Sequence, residues 1–186
     1  MPVKAFDQAK ERLAPALPPH RRADLARVMA EAVLRAAAPL PVAVVCDDDG
    51  VRAWAWSHGA DVVWAPGRGL DGAVAHGVQV LAAGGASRVI VAHADLPQAS
   101  DLAWVARFPG VTIVPDRRDD GTNVLAVPVS PPFPFSYGPG SFGRHARAAL
   151  ALGLPLRVVR EPHLGRDVDE PADLAPAGLG PVGTGW

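Results

Sequence analysis

Short apolar runs recur along this 186-residue chain, at Val42-Ala43-Val44-Val45-Cys46, Asp61-Val62-Val63-Trp64, Arg88-Val89-Ile90-Val91-Ala92 and Val111 to Val114. Segments with helical spacing lie between most of them. A strand that is apolar at every position has to be covered on both faces, and crossover helices are the usual cover for parallel strands. The pattern therefore predicts an α/β fold, Rossmann-like, with a mostly parallel mixed sheet and helices on both faces. Helices are expected from Pro19 to Ala38, with Leu25, Val28, Met29, Ala32 and Val33 on the buried face, and from Val51 to His58 behind an Asp48 cap and before Gly59. Further helices fit Gly72 to Ala83, Asp101 to Arg107 and Ser141 to Leu152, with additional strands at Asn123 to Val129 and Leu156 to Arg160. The length suits one domain, expected over residues 1–175, with the Gly- and Pro-rich stretch Pro176 to Trp186 as a loose tail.

The formal net charge of -1 is not the footprint of a nucleic-acid binder, which would carry a basic excess. No apolar run approaches the roughly 18 residues of a membrane span, and the start lacks the basic-then-apolar pattern of a signal peptide, so the chain reads as cytoplasmic with no membrane partner. Cys46 is the only cysteine and closes an apolar run, which suits a buried thiol better than a nucleophile.

In sheets of this kind ligands bind beyond the carboxyl ends of the strands. Asp95 follows the Arg88–Ala92 run, and Asp167 and Asp169 follow the Leu156–Arg160 run after a short loop. Carboxylates gathered from two distant strands form a natural cradle for Mg²⁺, which takes few protein oxygens and leaves room for phosphates and water. Each aspartate also has a purely structural reading: Asp169 as a helix cap before Glu170-Pro171, and Asp95 as the end of a turn before Pro97. The only two lysines, Lys4 and Lys10, stand beside Arg12 at the start of the chain, although a composition rich in Ala, Arg, Gly and Pro favours arginine wherever any positive charge will serve. A lysine ammonium is a compact charge suited to polyphosphate. Gly138-Pro139-Gly140-Ser141 permits a close backbone approach and opens a helix, whose free N–H groups would form an anion site.

Seven pieces of the chain, taken together, resemble the 2-phospho-L-lactate or phosphoenolpyruvate guanylyltransferase family of coenzyme F-420 biosynthesis. They are Pro2-Val3-Lys4 with Ala9-Lys10-Glu11-Arg12-Leu13, Gly69-Leu70-Asp71, Ala94-Asp95-Leu96-Pro97, Pro115-Asp116-Arg117, Gly121-Thr122-Asn123, Tyr137-Gly138-Pro139-Gly140-Ser141-Phe142 with Arg144-His145, and Asp167-Val168-Asp169-Glu170-Pro171. The Gly-Thr-Asn and Gly-Pro-Gly-Ser-Phe pieces are the most specific.

The resemblance implies a single-domain nucleotidyltransferase of the GT-A-like type that joins GMP from GTP to a small phosphorylated three-carbon acid and releases pyrophosphate. On that reading Lys4, Lys10 and Arg12 act on the nucleotide's phosphates, and Gly69, Leu70 and Asp71 also contact the nucleotide. Asp95, Asp167 and Asp169 hold Mg²⁺. Thr122, Asn123, Gly138 and Ser141 grip the acid, and a downstream enzyme of the coenzyme pathway is an implied partner. A molybdenum-cofactor or sugar-phosphate nucleotidyltransferase would share the lysines and aspartates, and a catalytically inactive nucleotide-binding subunit is the rival from another class. Three residues depart from the family's pattern: Asp71, Asp119 and Asp120 put carboxylates near the expected phosphates, with Arg117 and Arg118 as candidate compensation. The family also carries an apolar strand ahead of Pro-Val-Lys. Its absence here predicts that the natural protein starts upstream of Met1, and that Lys4 sits at a frayed terminus beside an open groove.

Overall fold

A computed structural model describes residues 1–179. Along the chain run α1 (Pro19–Ala37), β1 (Ala43–Cys46), α2 (Asp49–Ser57), β2 (Asp61–Trp64), α3 (Gly69–Ala83), β3 (Arg88–Ala92), β4 (Val111–Pro115), β5 (Thr122–Pro128), α4 (Ser141–Ala151), β6 (Leu156–Val158) and α5 (Pro171–Leu174). Asp48 caps α2 as expected, its Oδ1 accepting from Val51 N at 2.9 Å. The segment expected as a helix from Asp101 to Arg107 is instead a 3₁₀ helix over Ala103–Arg107. Pro109 and Gly110 follow at once and leave no length for an α-helix to offset its nucleation cost.

The strands form two hydrogen-bonded groups, β1-β2 and β3-β5-β4-β6. Within the larger group only β5 is reversed: it runs antiparallel to β3 and β4, while β4 and β6 are parallel. Strand alternation then assigns the two faces. Val89, Val91, Ile113, Leu125 and Val127 pack with Val74 of α3 and Ala149 of α4, and Ala92, Val114, Val124 and Ala126 pack on the other side with Val33 and Ala36 of α1 and with Val105. β1 divides in the same way, with Val44 and Cys46 toward α1 and α2 and Ala43 and Val45 toward Ala73 of α3.

Alanines rather than the larger residues form much of the inner face of α1. Val28 is 52% exposed, against the expectation from spacing, while Ala23, Ala26 and Ala30 are buried. Small side chains there let Phe6 reach between α1 and α2, where it meets the Trp54 ring edge-on with centroids 5.2 Å apart. Part of the segment expected as a loose tail is packed: Ala177 and Leu179 lie against Leu13, Met29, Val168 and Leu174. Residues 180–186 of that expectation fall outside the described residues.

Met1 to Val3 lie along β1. Val3 N donates to Val45 O at 3.0 Å, Val45 N to Met1 O at 2.9 Å, and the Met1 ammonium to Ala43 O at 2.8 Å. The terminus is thus paired on one side rather than frayed. Beside it a groove of about 350 Å³, lined by Met1, Pro2, Ala43, Val45, Val89 and Val91, separates β1 from β3. That groove matches the expected opening.

Gly110 shows how tightly β4 and β6 approach, because a Cβ there would stand 1.9 Å from the Pro155 carbonyl oxygen. Backbone cannot move aside as a side chain can. Gly110→Ala is expected to destabilise the fold by about 2 to 4 kcal/mol through overpacking, read as a lower urea midpoint at unchanged m. A loss below about 1 kcal/mol would show that the β4–β6 edge is soft.

Candidate functional site

The chain returns to its charged residues only after Phe6 is anchored. Beyond that point Lys10 adopts a left-handed conformation, with φ 57°, and its side chain turns inward. Lys10 Nζ donates to Asp95 Oδ2 at 2.7 Å and to Asp169 Oδ1 at 2.9 Å. Burial alone would lower the ammonium's pKa, but the two carboxylates outweigh it and hold the pKa above its ordinary value. Asp95 mirrors this: burial would raise it, Lys10 overrides burial, and the carboxyl stays below the usual range. Asp167 has no such cation. Burial, then the charges of Asp95 and Asp169, push it up to about 6.

These aspartates open onto a polar cavity of about 260 Å³ that also takes in Arg12, Thr122, Asn123, Gly138 and Ser141. The sequence motifs assign all eight to one site, and the cavity brings them together. Lys4, Lys10, Gly69, Leu70 and Asp71 do not line it, and Lys10 reaches its edge only through the bonds to Asp95 and Asp169. Lys4 is exposed just past the bond that ties Val3 to β1, and Gly69 and Leu70 open α3 at the surface. Asn123 lines the cavity and also has a structural part, since its amide nitrogen donates to Leu164 O at 3.0 Å and to Asp167 Oδ1 at 3.4 Å. It fixes the segment that carries Asp167.

The turn at Gly138–Ser141 is not an open anion site. Gly140 N donates to Asp120 Oδ1 at 3.0 Å, Ser141 N to Gly138 O at 3.0 Å, and Phe142 N to Asp120 O at 3.0 Å, so the first amides of α4 are already used. Its cap is Gly140 in a left-handed conformation rather than Ser141. What faces the cavity at this end is hydroxyl chemistry. Ser141 Oγ stands 3.5 Å from Thr122 Oγ1, and His145 Nδ1 lies 3.0 Å from that same oxygen.

The three departing carboxylates all have structural partners. Asp71 Oδ1 accepts from Tyr137 N at 2.7 Å and so holds the entry to the Gly138 turn, Asp120 ties that turn to the Gly121–Thr122 segment, and Asp119 is gripped by Arg160, 2.9 Å from its Nη2. Arg117 and Arg118 do not compensate Asp119 and Asp120, because Arg117 pairs with Asp173 and Arg118 with Glu170. Asp173 was missed from sequence, yet it organises the metal-side loop. Its Oδ2 accepts from Asp169 N at 3.0 Å and Glu170 N at 2.8 Å, making a capping box with Glu170 as the cap. Asp169 is thereby freed from the capping role and left to Lys10. The Glu170-Pro-Ala-Asp173 spacing is the signal that could have revealed it.

Divalent-metal binding can be tested against this donor set. Among the described residues no three acidic, histidine or cysteine side chains already enclose a single point. The chemistry of the cluster still fits a hard cation, since among the described residues Asp95 Oδ1 is buried without a partner and one ammonium serves only Asp95 and Asp169, leaving Asp167 without a paired cation.

A family model described as "Guanylyl transferase CofC like" matches residues 1–179. The chain belongs to that family. It is 38% identical over 184 residues to a phosphoenolpyruvate guanylyltransferase of Rubrobacter xylanophilus, covering 94% of this chain and 90% of the relative. It is 37% identical to a protein of the same name from Streptomyces coelicolor, covering 97% and 91%. Among solved structures, a nucleotide-diphospho-sugar transferase type from Desulfovibrio desulfuricans superposes with a TM-score of 0.77 at 18% identity, over 93% of this chain and 82% of that one. A nucleotidyl transferase from Methanothermobacter superposes at 0.63, also at 18% identity, over 94% and 93%. Family membership makes the chain a nucleotidyltransferase, and the structural likeness gives it that fold. No helix among the described residues is long and apolar enough to cross a membrane.

His145 is fully buried, while His93 is half-buried and lines the polar cavity. His145 is held low, at about 4, first by burial and then by the Arg144 charge, while burial also lowers His93. Between pH 4 and 6.5 the unfolded chain binds a proton at position 145 that the folded chain refuses, so stability falls as pH drops through that window. The loss attributable to His145 is about 3 kcal/mol by pH 4. The gap in unfolding free energy between wild type and His145→Gln should therefore narrow from pH 7 to pH 4, by urea denaturation. A gap that stays constant would mean that His145 titrates normally in the fold.

Proposed function

We propose that the chain transfers GMP from GTP to phosphoenolpyruvate, or to the closely similar 2-phospho-L-lactate, releasing pyrophosphate, as a cytoplasmic step in building the deazaflavin coenzyme F-420. One observation carries this reading: a single polar cavity is lined by the three carboxylates Asp95, Asp167 and Asp169, by Arg12, and by Thr122, Ser141 and Gly138, with Lys10 bonded to two of those carboxylates. The names of the relatives support the acceptor assignment.

The chemistry requires little from side chains beyond charge and alignment. A phosphate monoester has its second pKa near 6, so the acceptor arrives ionised and needs no general base. One of its phosphate oxygens forms the new bond to the α-phosphorus of GTP while the bond from that phosphorus to the bridging oxygen breaks, and pyrophosphate leaves with the electron pair. Negative charge grows on the leaving group. Arg12, and Lys10 once released from its carboxylates, would meet it, which is the usual way such transfers are accelerated. Asp95, Asp167 and Asp169 would hold Mg²⁺, which when bound supplies further charge neutralisation. Lys10 is the counter-ion of two of those carboxylates, so a cation there frees its ammonium to follow the phosphates.

Mass spectrometry of products from each of the four nucleoside triphosphates, paired with phosphoenolpyruvate, 2-phospho-L-lactate and 3-phosphoglycerate in the presence of Mg²⁺, tests the reading. Expected is a guanylylated acid with stoichiometric pyrophosphate, GTP being preferred over ATP. No product with any acid from folded protein would overturn it.

Replacing one carboxylate separates the metal assignment from the rest. Asp95→Asn and Asp167→Asn should each weaken Mn²⁺ binding by calorimetry at least about tenfold and abolish turnover, because an amide is a poorer ligand for a hard cation. Unchanged binding in both variants would place the metal elsewhere.

A further inference from the structure

His145 is fully buried, yet both of its ring nitrogens are engaged. Ser136 N donates to Nε2 at 3.0 Å. A backbone N–H can only donate, so Nε2 carries the lone pair. In the neutral ring the proton is then on Nδ1, and Nδ1–H donates to Thr122 Oγ1 at 3.0 Å. The ring has no freedom to flip, because Tyr137 packs edge-on against it at 4.8 Å and Phe133 lies 5.9 Å away. Burial, and after it the nearby Arg144 charge, opposes protonation and keeps the ring neutral.

The consequence falls on Thr122. Its hydroxyl oxygen already accepts from His145 and has Ser141 Oγ within 3.5 Å as a second donor, so its own proton is left to point outward. The direction left for it is the cavity that Thr122 and Ser141 line. We propose that His145 is a positioning residue that fixes Thr122 as a hydrogen-bond donor, making this end of the cavity specific for an anionic acceptor. This rests on the reading of the Thr122–Ser141 end as the acceptor site. Had the ring presented a lone pair to Thr122, the hydroxyl proton would be committed to it and an oxygen lone pair would face the substrate's charge. The ring's orientation therefore decides between attraction and repulsion at one contact.

Steady-state kinetics on His145→Leu, His145→Asn, Thr122→Val and the Leu/Val double variant test the proposal. His145→Leu should raise the KM for the acid about tenfold, the size of one lost hydrogen bond to a charged group, while the KM for GTP stays within about twofold. His145→Asn, whose amide N–H stands in for Nδ1–H, should recover most of the affinity. With Thr122→Val already present, His145→Leu should add nothing. Additive effects, or equal losses for both substrates, would overturn the proposal and leave His145 as packing alone. If Thr122→Val and Ser141→Ala both leave the acid's KM unchanged, the acceptor site itself has been misplaced. If Thr122→Val raises it and His145→Leu does not, only the role of His145 fails. Long-range ¹H–¹⁵N correlation on the wild-type protein reads the tautomer directly, without any variant: a protonated Nδ1 with a bare Nε2 supports the proposal, and the opposite tautomer refutes it.

Discussion

The polar end of this fold is arranged around one ammonium. Lys10 Nζ sits between Asp95, at the end of β3, and Asp169, in the loop that follows β6, partners 85 and 159 residues away from it in sequence. Without it Asp95, Asp167 and Asp169 would face one another uncompensated. An ion pair at about 4 Å is worth about 4 kcal/mol at an effective dielectric near 20, and removing an ammonium from water costs several kcal/mol. A single carboxylate would roughly break even. Two carboxylates decide the balance, which is why Lys10 stays charged although buried and why its backbone occupies a left-handed conformation to deliver it.

The other end of the cavity is held by the opposite device, a cation that serves backbone carbonyls. Arg144 donates to the carbonyls of Ser136, Tyr137, Gly138 and Pro139, while Asp71 and Asp120 take the amides of Tyr137 and Gly140. A turn with its donors and acceptors satisfied from both sides is rigid before any ligand arrives. Two carboxylates that look like a liability beside phosphates, Asp71 and Asp120, are in this way engaged by backbone N–H groups, although Asp120 still lines the cavity.

Local signals made the fold legible in the sequence. Continuous apolar runs placed β1, β3 and β4 to within a residue, and Asp48 and Gly59 bracketed α2 because capping and left-handed termination act over four residues. What depends on distant partners was not visible. Nothing in Thr122 to Pro128 says that this strand runs against its neighbours, nor does the pattern reveal that β1 and β3 are not paired with each other. The site divides along the same line. Motif matches led to Lys10, Arg12, the three aspartates and the Thr122–Ser141 pair, but Lys4 and Lys10 look alike in sequence and only the anchoring of Phe6 separates them. Asp173 escaped notice, and His145 entered only as part of a motif, because their roles lie wholly in what they bond to.

The two cavities show why charge, rather than volume, locates the chemistry. The groove between β1 and β3, at about 350 Å³, is larger than the polar cavity at about 260 Å³. Its walls are mostly apolar side chains from α1, β1, α3 and β3, and the guanidinium of Arg88 at its edge is taken by the carbonyls of Pro109 and Gly110. A triphosphate placed there would lose its hydration and gain almost no donors, at a cost far above anything burial of its base could return. The smaller cavity can take the same charge because cations and hydroxyl donors already line it and its carboxylates suit a metal. On the proposed function a nucleotide would sit with Arg12 and the carboxylates rather than in the apolar groove.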